Sequence, residues 1–100
     1  MRRKVTKIHI GGTPYFVKRV GEIRDLENVC KPGVKILGQF RSKTNSIVVL
    51  NRLGYQKHTT LVHELIHAID REFDVGISEE YVDLLAREIV GSLSQLRLFK

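Results

Sequence analysis

The sequence predicts a small α+β domain in which a mostly antiparallel sheet of three to four strands is followed by two helices. Three observations predict it. Residues 1–56 hold short strand-like segments, the first of them alternating apolar and polar side chains, set between Gly, Pro, Asn and Ser turn signals. From residue 57 onward the apolar residues recur three and four apart, which is the period of helices. The chain has 100 residues, the size of a single domain with one core of two layers. Residues 1–56 form the sheet part and residues 57–100 the helical part.

Residues 5–10 alternate as a half-buried strand does, Gly11-Gly12-Thr13-Pro14 is a turn signal, and residues 15–20 resume the strand pattern, so the start is a hairpin. Residues 21–33 fit a short helix over 22–29 or a loop, stopped by Pro32-Gly33. Residues 34–41 and 47–51 are strands around a turn at 42–46, a second hairpin. Thr59 or Thr60 caps a helix that runs to about Phe73, with Leu61, Leu65, Ile66, Ile69 and Phe73 apolar and Gly76 as the left-handed terminator. Ser78 caps the second helix, with Glu79 and Glu80 in its first turn. Tyr81, Leu84, Leu85, Ile89, Leu93 and Leu96 are the expected buried stripe, and Gly91 is a point of weakness or bending.

Composition narrows the class. Hydrophobic residues make up 42% and charged residues 28%, as in ordinary globular domains. The longest apolar run is Ile47-Val48-Val49-Leu50, too short to cross a bilayer. Lys7 and His9 stand where a signal peptide needs an apolar core, and the single Cys30 has no partner for an internal disulfide. A cytoplasmic protein is expected. The net charge of +6 is divided unevenly, +10 over residues 1–57 and −4 over residues 58–100. No aromatic interleaving accompanies the basic half, which argues against nucleic acid as the partner and for a charge-protected sheet surface.

The chemistry sits in His63-Glu64-Leu65-Ile66-His67. Residues four apart on a helix lie one above the other, so His63 and His67 offer two imidazole nitrogens to one cation. Glu64 stands about 100° round the helix from the first histidine, where its carboxylate reaches a water at that cation without being a ligand. Imidazoles with an added carboxylate suit zinc, one ion per chain, and a fourth position left to water makes the site catalytic. The third ligand has to come from Asp70, Glu72, Asp74, Glu79, Glu80, Asp83 or Glu88. The first three lie on or just beyond the helix of the histidines and turn back poorly. Glu79 on the second helix is the better source. Asp83, four residues on and on the same face, can accept the second N–H of His63, which fixes the orientation of a zinc histidine. Tyr15, Tyr55, Tyr81, His58 and Arg87 are the available donors for oxyanion stabilisation. His9 and Cys30 carry no assigned role.

The pair of motifs His63-Glu64-Leu65-Ile66-His67 and Glu79-Glu80-Tyr81-Val82-Asp83-Leu84-Leu85-Ala86 resembles the gluzincin metallopeptidases, above all the small minigluzincins and ImmA/IrrE-like proteins. The resemblance covers about residues 47–90. It implies a zincin-like fold with a twisted sheet, an active-site helix and a glutamate-bearing second helix. It implies Glu79 as third ligand, seven residues before the helical Ala86, and Asp83 beside it. It implies that the strand at residues 47–50 lines the cleft and pairs with an extended peptide. Small members can be latent, covered by a terminal segment, here residues 94–100, or by a second copy, so a zymogen or a homodimer is within the expectation. The expected function is zinc-dependent hydrolysis of peptide or protein substrates, with Glu64 as general base. The alternative is a zincin-fold regulatory or binding protein with little catalysis, contacting a repressor or nucleic acid through the basic sheet.

Overall fold

The computed structural model describes residues 4–20, 38–50 and 55–97. The first hairpin is β1 (Lys4–Ile10) and β2 (Thr13–Val20), paired antiparallel with Ile8 opposite Tyr15. Gly11 and Gly12 both have positive φ, 57° and 83°, as a tight hairpin turn matched to strand twist requires. Thr13 and Pro14 therefore belong to β2 and not to the turn. β3 (Gly38–Arg41) and β4 (Ser46–Leu50) form the second hairpin, joined by a 3-10 turn at Ser42–Thr44 and by Asn45 in the left-handed region at φ 49°. The alternatives weighed for residues 21–33, and the first part of the strand expected at 34–41, lie outside the described residues.

The hairpins join by a parallel pairing of β2 with β4, Val17 beside Ile47, so the sheet order is β1-β2-β4-β3. Two of its three pairings are antiparallel. β4 is interior, and all five of its residues are buried. That explains why Ile47-Val48-Val49-Leu50 reads as a continuous apolar run and not as an alternating one. It also overturns one expectation. The strand before the first helix has hydrogen-bonded neighbours on both sides, so its backbone cannot pair with a substrate. Among the described residues, β3 is the edge on that side.

α1 (Tyr55–Phe73) lies on one face of the sheet, and α2 (Glu79–Gln95) packs against α1. Ile10, Tyr15, Val17, Ile47, Val49 and Ala68 form the core under α1, with Leu61 and Leu65 packed against it. Ile66 points elsewhere, joining Val82 and Ala86 between the helices. The two helices are thus glued by a different stripe of α1 from the one that grips the sheet.

Three details of the helices depart from the sequence expectation. α1 starts before Thr59, so neither Thr59 nor Thr60 is its cap. Thr60 instead packs on the sheet, and a Cβ added to Gly38 would fall 2.6 Å from its Cγ2. The helix ends through Asp74, left-handed at φ 51°, with the Val75 N–H donating to the Asp70 carbonyl at 3.2 Å, and Gly76 follows as a second left-handed residue. The buried stripe of α2 is Val82, Ala86 and Val90, whereas Tyr81, Leu84, Leu85, Ile89 and Leu96 are largely exposed, as are Ile69 and Phe73 on α1. Small side chains on the contact face let the helix backbones approach closely. The large ones would hold them apart. Ser78 caps α2 as its sequence suggests, its Oγ accepting from the Tyr81 N–H, and the helix runs unbroken through Gly91. No helix among the described residues is long and apolar enough to cross a membrane.

Candidate metal centre

Close packing of the helices sets the geometry of the site. Glu79, Asp83, Ala86 and Val90 recur at helical spacing on α2, so the face that docks on α1 also carries the two carboxylates. On α1, His63 and His67 flank the docking stripe of Val62 and Ile66. The side chains meet at the open end of this interface.

The structure brings together His63, His67 and Glu79. The two Nε2 atoms are 3.2 Å apart. Glu79 Oε1 stands 2.8 Å from His63 Nε2, and Glu79 Oε2 stands 3.2 Å from His67 Nε2. Asp83 Oδ1 lies 3.0 Å from His63 Nδ1. The His63 ring is therefore held at both nitrogens by α2. If its Nδ1–H donates to Asp83, its Nε2 presents a lone pair to the Glu79 carboxylate. Acceptor then faces acceptor, and a cation between them resolves the repulsion.

The donor set fits zinc. Ligand bonds of about 2.0–2.2 Å in a tetrahedron place donor atoms roughly 3.3 Å from one another. His63 Nε2, His67 Nε2 and Glu79 Oε1 stand 2.8, 3.2 and 3.3 Å from one another, close to that figure. These three residues are a group whose ligand atoms all lie within 4.8 Å of one another.

Glu64 is half-buried on the side of α1 that faces β3. Burial pushes its carboxyl above the ordinary glutamate range, and the charge of Glu79 adds to the rise. The nearby His63 and His67 rings and the backbone of Phe40 act in the opposite direction. Phe40 was not singled out in the sequence. Its contribution comes from the main chain of a strand more than twenty residues away, which leaves no mark in residue type.

The remaining acidic candidates are engaged elsewhere or placed away from the histidines. Asp70 Oδ1 accepts from the Gly76 and Ile77 N–H groups at 2.6 and 3.1 Å, fixing the loop into α2. Glu72 accepts from Thr13 Oγ1 and the Tyr15 hydroxyl, both at 2.7 Å. These bonds hold its carboxyl below the usual range, Thr13 contributing most. Tyr15 is pushed up by burial and then by Glu72, so its hydroxyl is spent at the far end of α1 and is not an oxyanion donor. Asp74 sits in the turn, and Glu80 and Glu88 are exposed on α2. Tyr81 and Arg87 are exposed on α2, His58 is half-buried on α1 and the Tyr55 side chain lies outside the described ones, so the oxyanion donor stays open among these four. The tail expected at 94–100 does not start as a lid. Ser94 and Gln95 complete α2, about 24 Å along its axis from Glu79, and the last three residues lie outside the described ones.

Comparison with protein-family models, curated proteins and solved structures finds no match to this chain.

Proposed function

We propose that this chain is a zinc-dependent metallopeptidase of gluzincin type, with His63, His67 and Glu79 holding one zinc ion and Glu64 acting as general base. The observation that carries the reading is the triangle of His63 Nε2, His67 Nε2 and Glu79 Oε1, 2.8–3.3 Å on a side, with a partly desolvated glutamate next to His63 in sequence. Zinc bound there supplies Lewis acidity, bringing water ionisation toward neutral pH and polarising a scissile carbonyl.

The chain's own residues would do the rest. Asp83 keeps the proton of His63 on Nδ1 and the ring turned toward the metal. Glu64, with its proton affinity raised by burial, takes the proton of the attacking water and returns it to the leaving amine. A peptide can extend along β3, the strand with an open edge among the described residues. A cytoplasmic setting belongs to the proposal and agrees with a single cysteine, Cys30, which has no partner for an internal disulfide.

The test pairs metal content with cleavage. Zinc-loaded protein is expected to cleave a mixed peptide library, and Glu64→Gln is expected to hold the same zinc with cleavage reduced by about 10²–10⁴-fold. Full zinc occupancy with no cleavage by either protein would replace this reading with that of a zincin-fold binding protein.

A further inference from the structure

Asp70 stands three residues after His67 on α1 and captures three successive amides of the loop that leads into α2. The Val75 N–H donates to its carbonyl at 3.2 Å, and the Gly76 and Ile77 N–H groups donate to its Oδ1 at 2.6 and 3.1 Å. Asp74 and Gly76 are both left-handed on this path, at φ 51° and 84°. Successive N–H groups turned to one side by such a path make a concavity that suits a carboxylate. Ile77 is then held twice, by its N–H on Asp70 and by its side chain against Ile66, Val82 and Ala86. Next comes Ser78, whose Oγ and carbonyl accept from the Tyr81 and Val82 N–H groups, and then Glu79.

We infer that Asp70 is a positioning residue for the third metal donor, fixing where Glu79 stands over His63 and His67. The inference rests on the metal site proposed above. The Glu79 side chain is 64% exposed, yet its Oε1 stands 2.8 Å from His63 Nε2 and 3.3 Å from His67 Nε2. Little packing surrounds that carboxylate, so its place follows from the place of its backbone. Apolar contact among Ile66, Val82 and Ala86 sets how close the helices lie, but such contact has no direction and resists sliding weakly. The bonds to Asp70 have direction and set how far along α1 the second helix begins. The tolerance is small. One residue of slip moves a helix about 1.5 Å along its axis, whereas ligand distances hold to within about 0.2 Å. Asp70 therefore ties the start of α2 to the stretch of α1 that carries both histidines.

A double-mutant cycle on zinc affinity tests this. Asp70→Ala is expected to weaken zinc binding by about tenfold. In a Glu79→Ala background the same change should have no effect, because the donor it positions is gone. A merely structural role would lower affinity equally in both backgrounds, and that result overturns the inference, as does unchanged affinity in Asp70→Ala. Cobalt(II) in place of zinc adds a spectrum that reports the ligand set. The visible absorption of the Asp70→Ala protein should move from that of wild type toward that of Glu79→Ala, and an unmoved spectrum counts against the inference. Asp70→Asn keeps an oxygen facing the amides without the charge. It should cost less, about threefold, again only where Glu79 is present, and it carries the cycle if Asp70→Ala does not fold. Failure of the peptidase reading looks different. A Glu79-dependent effect with no cleavage by wild type removes the reaction and leaves the positioning role, whereas cleavage with equal effects in both backgrounds removes the positioning role alone. Zinc fully retained by His63→Ala and His67→Ala removes the site and this inference together.

Discussion

His63 carries the most constrained chemistry in the molecule, because α2 contacts its ring at both nitrogens. This makes Asp83 separable from the ligands. Asp83→Ala is expected to leave zinc binding in place and to weaken it by about 10–100-fold, the usual consequence of losing the partner of a ligand histidine. Competition with a chromophoric chelator measures it, and an unchanged affinity would show that Asp83 is an ordinary surface carboxylate. At the other end of α1, Glu72 ties the helix to the first hairpin through Thr13 and Tyr15. Its folded-state proton affinity is depressed, so its stabilising effect is present above the unfolded value of about 4.3 and is lost as pH falls through the lower folded value. Denaturant midpoints of wild type and Glu72→Gln should differ at about pH 6 and converge below about pH 4. At this scale much was legible. His63, Glu64, His67, Glu79 and Asp83 are all within one helix or at one helical spacing, so the motif alone brings them to notice. Phe40 and the Tyr15–Glu72 bond join residues far apart in sequence, and no local pattern announces such contacts.

Among the elements, α2 is where sequence and structure part. Its large apolar residues suggest a stripe at Tyr81, Leu84, Leu85 and Ile89, but the helix packs through Val82, Ala86 and Val90. Helical periodicity identifies an apolar side without stating which part of a broad one meets the neighbour. The need to bring Glu79 to two histidines selects the smaller residues. Ala86→Leu should therefore cost about 1–3 kcal/mol by overpacking the helix interface, and lower zinc affinity with it. Leu84→Gln, at a position 43% exposed, should cost less, about 1 kcal/mol or below. Thermal or chemical unfolding of the two variants gives the order directly, and the reverse order would restore the sequence-based stripe. Gly38 is the corresponding point on the sheet. Its missing side chain lets β3 approach Thr60. Gly38→Val should push the edge strand from α1, destabilise the fold by about 1–3 kcal/mol and lower cleavage by more than zinc binding. Both hairpin turns and the Ser78 cap of α2 were readable from their turn and cap residues, whereas the start of α1 was not. The parallel pairing of β2 with β4 was not readable, because alternation marks a strand and not its neighbour.

The whole molecule divides its work between two layers. The sheet supplies the core, and the helices carry the His63, His67 and Glu79 cluster proposed to hold the metal. A domain of 100 residues has a modest core, so ligands that bind only the folded form have a large proportional effect. Zinc at a hundred times its dissociation constant should stabilise the fold by about 2.7 kcal/mol, and a chelator should lower the melting temperature of wild type but not of His67→Ala. The α+β class, the order of sheet before helices and the clustering of the candidate site were legible from the change of hydrophobic period and two short motifs. The family resemblance implied the strand next in sequence to the helix as the substrate edge, and the sheet order places that strand inside the sheet. The central claim is that one zinc ion is held jointly by α1 and α2. Anomalous scattering at the zinc edge from crystals grown with zinc tests it most directly. The account predicts a single peak about 2.0–2.2 Å from His63 Nε2, His67 Nε2 and a Glu79 carboxylate oxygen. A peak on other residues, or no peak between the two helices, would contradict it.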